Sequence, residues 1–334
     1  MRNNKGFSVR KNVLVRYERS ESEFIVPDGV TAIGPGAFKD CKHLTSVIIP
    51  PSVTRVEAQA FSSCSSLTNI KLPDSVTYIG PNAFCHSGLA NIEMPSGITF
   101  IGSHAFYNCQ HLEAITIPNT VTEIGQYAFA NCSSLTNITI PNSTVSLHPG
   151  VFQNCSSLTS IIVEKGNPKY RSDGNCLIEM GCLMRDWIIQ GCGNSIIPED
   201  NSVRHIKSYA FQNCYTLTEI KIPKNITSIG KFAFNRCKSL VNVEISNGPT
   251  CIDSYAFSDC ESLTEVELPD SITKIEDCAF RGCTNLRSIK IPASVTCIEG
   301  YYAFEGCNQV TIVTSENSCA EKYAREHGLA VELI

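Results

Sequence analysis

Eleven phenylalanines recur at a near-constant interval, and that interval constrains the fold more than any other feature of this chain. They are Phe38, Phe61, Phe84, Phe106, Phe129, Phe152, Phe211, Phe234, Phe257, Phe280 and Phe304. Alanine precedes all of them except Phe152, which follows Val151. The gaps are 23, 23, 22, 23, 23, 59, 23, 23, 23 and 24 residues. A period of this size marks stacked supersecondary units. One such unit is too short to bury its own apolar face, whereas stacked neighbours share a continuous core.

The unit from Leu67 reads LTNIKLPDSVTYIGPNAF, that from Leu135 LTNITIPNSTVSLHPGVF and that from Leu263 LTEVELPDSITKIEDCAF. Ile70 and Leu72 alternate with polar neighbours, which predicts a short strand. Pro73 ends it, because proline donates nothing to a ladder. Asp74-Ser75 turns the chain. Val76-Thr77-Tyr78-Ile79 is β-branched or aromatic throughout and predicts a second short strand. Gly80 breaks that strand, and Ala83-Phe84 falls in a compact turn or single helical turn. Strands of successive units then stack in parallel. The chain holds 18 cysteines, and ten share one phase: Cys41, Cys64, Cys109, Cys132, Cys155, Cys214, Cys237, Cys260, Cys283 and Cys307. A free cysteine behaves as a small hydrophobe with a weak donor, so a ladder of buried thiols is expected. The alternative is a disulfide between adjacent coils, which requires converging Cβ vectors.

This pattern, L-x-x-I-x-I-P-x-S-V-T-x-I-x-x-x-A-F with Cys three residues later, resembles the BspA-like branch of the leucine-rich-repeat proteins over roughly residues 24–334. The resemblance implies a mostly β, right-handed leucine-rich-repeat solenoid with short helical turns and parallel strands on its concave face. It also implies a microbial surface or secreted protein, in several members an adhesin for host matrix or other cells.

Five segments are expected: an N-terminal β-hairpin cap over 1–24, a repeat array over 25–163, an irregular insert over 164–196, a second array over 197–313 and a helix–strand cap over 314–334. The insert accounts for the gap of 59, which is two 23-residue units plus 13. Its Asn175-Cys176-Leu177-Ile178 is similar to Asn12-Val13-Leu14-Val15 of the cap. Met180-Gly181 is expected to turn a hairpin there, with Cys182-Leu183-Met184 and Trp187-Ile188-Ile189 returning. The insert is an irregular coil of the solenoid or, alternatively, a binding protrusion carrying Trp187. Near the end, Ser318-Cys319-Ala320-Glu321 has capping-box spacing, with Gly328 as a stop.

A net charge of -5 argues against nucleic acid, whose binding draws on basic surface. No stretch reaches the ~20 apolar residues of a membrane span. Met1 to Phe7 lacks an apolar core behind its positive start, so no signal peptide is read and a cytoplasmic location is expected; a trimmed chain would instead belong at the cell surface or outside. His43, His86, His104, His111, His148, His205 and His327 fall on different phases, and nothing pairs them with an acid and a nucleophile. Cys176, Cys182 and Cys192 lack the paired spacing of zinc ligands. Glu265 and Glu267 share a strand face but no cleft. No cofactor, no metal and no enzymatic activity is expected; a metal or enzymatic role on the insert is the remote alternative. N-x-S/T triplets occur at Asn137, Asn142 and Asn225.

The expected function is therefore binding of a protein partner by a monomer. The resemblance places the position between the two buried aliphatics of each strand on the concave face. That column reads Ile48, Lys71, Glu93, Thr116, Thr139, Ile162, Lys221, Glu244, Glu267 and Lys290. The column two places earlier includes Asn69, Asn137, Glu219 and Glu265. Lys71, Glu93, Thr116, Thr139, Glu219, Lys221, Glu244, Glu265, Glu267 and Lys290 are the candidate contact residues. The other reading is a solvated sheet face whose opposite charges pair across strands. A third column, Tyr127, Tyr209, Phe232, Tyr255 and Tyr302, is either a stacked aromatic ladder or an adhesive strip.

Overall fold

Each repeat closes one coil whose backbone polar groups are satisfied by the coils before and after it. In the computed structural model, which describes residues 6–18, 20–181 and 185–334, a three- or four-residue strand alternates with a two-residue strand and a multi-step turn. In the repeat from Leu67 the strands are Asn69–Lys71 and Tyr78–Ile79. The second is shorter than its β-branched composition predicts. Val76 N–H turns back to the Pro73 carbonyl at 2.9 Å, so only the last two residues enter the ladder.

The turn around each phenylalanine forms a third ladder rather than a helical turn. Phe38, Asp40 and Gly36 donate N–H groups to Ala60, Ser62 and Ala58 of the next coil at 2.8–2.9 Å. The residues between them, Ala37, Lys39 and Cys41, donate within their own coil at 3.1 Å. This alternation demands a left-handed backbone two residues before and two residues after the phenylalanine. Asp40, Ser63, Asn108, Asn131 and Asn154 occupy the later position with φ of 58–62°. Asp and Asn tolerate that region better than most residues, which explains their recurrence. Gly102 answers a different need: a Cβ there would lie 2.5 Å from the Gly80 carbonyl carbon of the preceding coil.

The chain divides into two compact units, Met1–Leu158 with Ile162–Pro168, and Thr159–Ile161 with Lys169–Ile334. The first unit opens with the antiparallel hairpin Phe7–Arg10 and Val13–Tyr17. Lys11 and Asn12 both have positive φ, as a two-residue primed turn requires. The hairpin leads an eight-stranded sheet that continues in parallel from Ala32–Ile33 to Ser146–Leu147. A second, parallel sheet holds Glu23–Ile25, Ser46–Ile48, Asn69–Lys71, Asn91–Glu93 and Ala114–Thr116.

The second unit repeats this plan. Tyr170–Asp173 and Cys176–Glu179 form an antiparallel hairpin whose turn residues, Gly174 and Asn175, again have positive φ. Asp186–Gln190 returns antiparallel to Cys176–Glu179. Met180 and Gly181 follow the strand Cys176–Glu179, and Cys182-Leu183-Met184, expected to return from the turn, lie outside the described residues. Parallel strands follow from Val203–Ile206 to Cys297–Ile298. The companion sheet runs in parallel from Glu219–Ile222 to Ala330–Leu333. The helix Cys319–Glu326 lies between its last two strands. Ser318 Oγ accepts from Glu321 N–H at 3.0 Å, and Glu321 accepts from Asn317 N–H.

Inside each unit the phenylalanines stack face to face. Phe61 and Phe84 lie 5.3 Å apart with rings 1° from parallel, and Phe234 and Phe257 5.1 Å apart at 1°. The first stack is closed by Tyr17 and Phe24 on Phe38, the last by Tyr323 edge-on to Phe304. The cysteine column runs beside the stack. Except at Cys41 and Cys214, which head the column in each unit and reach the Lys39 and Gly191 carbonyls, each thiol of the column donates to the carbonyl of the phenylalanine one coil earlier, as in Cys64 to Phe38 at 3.0 Å and Cys260 to Phe234 at 3.2 Å. That carbonyl already accepts a backbone N–H, so the thiol uses its second lone pair. All seventeen described cysteines are free thiols. Burial pushes Cys64, Cys109 and Cys155 up to about 12, and Cys237 and Cys260 well above the ordinary thiol value.

Candidate functional site on the strand faces

Because side chains alternate along a strand, burying Ile70 exposes Asn69 and Lys71. The same alternation places all ten candidate contact residues in solvent: Lys71, Glu93, Thr116 and Thr139 in the first unit, and Glu219, Lys221, Glu244, Glu265, Glu267 and Lys290 in the second. Register turns these positions into columns. Lys71, Glu93 and Thr116 stand side by side, as do Lys221, Glu244, Glu267 and Lys290.

In the first unit the column begins with Ile25 and Ile48, 67% and 58% exposed and paired in register. Ile48, Pro51, Asn69 and Lys71 border a shallow depression. Among the described residues neither Lys71 nor Glu93 makes an ion pair.

In the second unit charges pair across coils. Lys221 Nζ lies 2.8 Å from Glu199 and 4.0 Å from Glu244, and Lys290 Nζ lies 2.5 Å from Glu267. Glu219 and Glu265 have no cationic partner among the described residues. Five carboxylates, Glu199, Glu219, Glu244, Glu265 and Glu267, thus face two ammonium groups, Lys221 and Lys290. Glu244 and Glu267 stand opposite one another, a repulsive arrangement. Ile196, 73% exposed, joins Glu199, Glu219, Lys221 and Glu244 around a depression at one end of this face. Sequence reading missed Ile196 and Glu199 because neither belongs to the strand columns: Ile196 ends the insert and Glu199 follows Pro198.

The aromatic column forms a ladder in part. Tyr209, Phe232 and Tyr255 stack at 5.0 and 4.6 Å, within 7° of parallel, and Tyr209 is 44% exposed. All three, and Tyr127, occupy the left-handed position two residues before the buried phenylalanine, with φ of 54–67°. Large side chains rarely adopt it. Tyr302 has no such φ; there the extra residue of the 24-residue gap moves the left-handed position to Gly300.

The histidines remain dispersed. His148 contacts Glu123 at 2.8 Å, His86 contacts Asn108 at 2.8 Å and His327 stacks on Tyr323 at 3.9 Å. Cys176 and Cys192 donate to the carbonyls of Ile196 and Asn175, and Cys182 lies outside the described residues. One cluster was invisible in the sequence: donor atoms of Cys251, Asp253 and Glu276 lie within 4.8 Å of one another. Lys274 already holds Glu276 at 3.2 Å, and burial, then Asp253, pushes the Cys251 thiol up to about 12. A metal ion would have to displace both the lysine and a tightly held proton. Asn225 is buried, with its amide nitrogen on the Pro198 and Val203 carbonyls, so its triplet is closed to glycosylation in the fold. No helix among the described residues is long and apolar enough to cross a membrane.

The period, the Ala-Phe turns and the thiol column match the BspA type leucine rich repeat region over residues 15–94, 77–174 and 194–323, in six copies. The chain belongs to the BspA-type leucine-rich-repeat family. Among solved structures, it is similar to a leucine rich cell surface protein from Faecalibacterium prausnitzii, at 28% identity and a TM-score of 0.73, over 95% of this chain and 94% of that one. A leucine-rich repeat protein from Bacteroides ovatus shares the fold at 24% identity and a TM-score of 0.62, over 98% and 90%. The pneumococcal vaccine antigen PcpA does so at 20% and 0.72, over 99% and 97%. No curated protein matches the sequence. Within this BspA-type chain the family resemblance covers the strands and turns, while the exposed columns vary from coil to coil.

Proposed function

We propose that this chain is a non-enzymatic binding module at the cell surface, and that the strand face of its second unit docks a protein presenting basic side chains. One observation carries the reading: Glu219 and Glu265 stand unpaired beside Glu199, Glu244 and Glu267, with only Lys221 and Lys290 to offset them. Packing does not require this excess, since the buried residues of the same strands are Ile220, Val243, Val266 and Ile289. The exposed Ile196 adds an apolar anchor beside the acidic groups, the mixture that interface cores and rims use. The surface setting draws on the cell surface description of the Faecalibacterium relative.

The test compares the parent chain with a Glu244→Lys/Glu265→Lys/Glu267→Lys variant in capture experiments against extracellular matrix proteins and against extract of the source cells. Loss of the captured protein on charge reversal is expected, together with steep weakening in salt. Capture unaffected by the three substitutions would overturn the docking face. Protease treatment of intact cells checks the location: cleavage is expected, and full protection would place the chain in the cytoplasm.

A further inference from the structure

A second exposed feature has the opposite sign and lies on the other sheet of the second unit. Arg185 immediately precedes the strand Asp186–Gln190, and Arg204 and His205 belong to the adjacent strand Val203–Ile206. Together with Asn201, Ser202 and Thr227 they line one open pocket. In a chain with net charge -5, two guanidinium groups beside an imidazole, with Asp200 as the one carboxylate among the described residues lining the same pocket, need a reason.

The nearby carboxylates are already engaged. Asp186 accepts from Arg171 Nε at 3.2 Å and from Gly181 N–H at 3.0 Å. Asp173 accepts from Arg171 Nη1 at 3.2 Å. Asp200, which also lines the pocket, accepts from both the N–H and the hydroxyl of Ser202, at 3.0 and 2.6 Å. Among the described residues, the Arg185 and Arg204 side chains make neither an ion pair nor a hydrogen bond. His205, on the same pocket wall, is held in place: its ring stacks beside Trp187 at 6.1 Å, and its Nδ1 shares hydrogen bonds with Ser228 at 2.8 Å and Thr227 at 3.4 Å. Nε2 has no hydrogen-bond partner among the described residues. Burial, then the charges of Arg185 and Arg204, lowers the His205 pKa, so both guanidinium groups reach the imidazole electrostatically.

We propose that this pocket binds a dianionic phosphate monoester group, held by the guanidinium groups of Arg185 and Arg204 and by the imidazole of His205. Two permanent charges match a dianion better than a monoanion. Planar guanidinium donors fit tetrahedral oxyanions. This site is independent of the acidic strand face, and either reading can fail without the other.

The test follows the His205 ring signal by NMR in chain labelled at histidine, assigned through His205→Asn. Inorganic phosphate and phenyl phosphate are titrated at constant ionic strength, with phenyl sulfate as the monoanionic ester and chloride as the screening control. Saturable shifts with both phosphates are expected, with phenyl sulfate at least tenfold weaker. Arg185→Ala and Arg204→Ala should each weaken phosphate binding by about tenfold, as loss of one charge-assisted contact does. Far-UV spectra of both variants should match the parent, since neither side chain supports the core. Equal shifts with chloride, or phosphate binding that survives both substitutions, would overturn the site. Tighter binding of phenyl sulfate would overturn the assignment to a dianion.

Discussion

Read across the coils, the outward position of the long strands is Ile25, Ile48, Lys71, Glu93 and Thr116 in the first unit and Lys221, Glu244, Glu267 and Lys290 in the second. The inward position beside it is Phe24, Val47, Ile70, Ile92 and Ile115 against Ile220, Val243, Val266 and Ile289. Inward, both units accept only aromatic or aliphatic side chains, because each must meet the same neighbour one coil away. Outward, the first unit opens with two isoleucines and carries one charge of each sign, whereas the second is charged throughout and is made acidic by Glu199, Glu219 and Glu265 beside that column. Packing therefore accounts for the shared columns and leaves the others open to recognition.

The comparison breaks first if the shared columns prove unequal. Alkali should act on both units and produce the largest effect. Cys64, Cys109, Cys155 and Cys176 titrate higher in the fold than the ordinary 9.0 of the unfolded chain, held up to about 12 by burial. Below pH 9.0 the thiols are neutral in both states and full stability is present. Above it only the unfolded chain ionises, so stability falls until the folded thiols titrate near 12. Hydrogen exchange between pH 8 and 12 should show both units opening in that window; persistence of either would contradict its thiol burial. Next, Phe84→Ala and Phe257→Ala should each cost about 3–5 kcal/mol in urea unfolding. A loss under about 1 kcal/mol in one unit would mean that its stack is not the core.

Smaller effects sharpen the contrast between faces. Phe232→Asn removes two ring contacts but relieves a strained backbone, terms of about 0.5–1.5 and 1–3 kcal/mol, so stability should change by about 1 kcal/mol or less. A large loss would make the ladder a structural strut. The smallest change belongs to Lys290→Ala. Its partner Glu267 is well exposed, and the thermal midpoint should not move measurably. Capture of a basic partner should strengthen, because the acidic excess grows by one charge.

The coil geometry was legible because Phe, Cys and Leu recur with one period and a buried column tolerates little else. The candidate face was legible only as positions. Strand alternation fixed that Lys71 and Glu244 are exposed, but which charges pair depended on Glu199, which lies after Pro198 and off the strand columns. Left-handed backbone at Tyr209, Phe232 and Tyr255 was hidden, since those residue types argue for the opposite conformation. Asn and Asp two residues after the phenylalanine did carry the signal, and their recurrence could have exposed the third ladder. The grouping of Arg185, Arg204 and His205 follows from a hairpin outside the period, and no spacing rule reaches across it.

The matched register of neighbouring coils has a consequence for inheritance. Ile70 meets Ile92 and Ile92 meets Ile115 through the same bonds, so each coil presents its successor with nearly the surface it received. A recombination event that removes or copies one whole period would rejoin faces that already fit. One that cuts out of phase would not, except where a glycine such as Gly88, in the one 22-residue interval, lets the chain pass close to Ser65. Lineages carrying such a gene can gain or lose coils while keeping the reading phase of the core, and each event adds or removes one set of exposed positions on which selection can act.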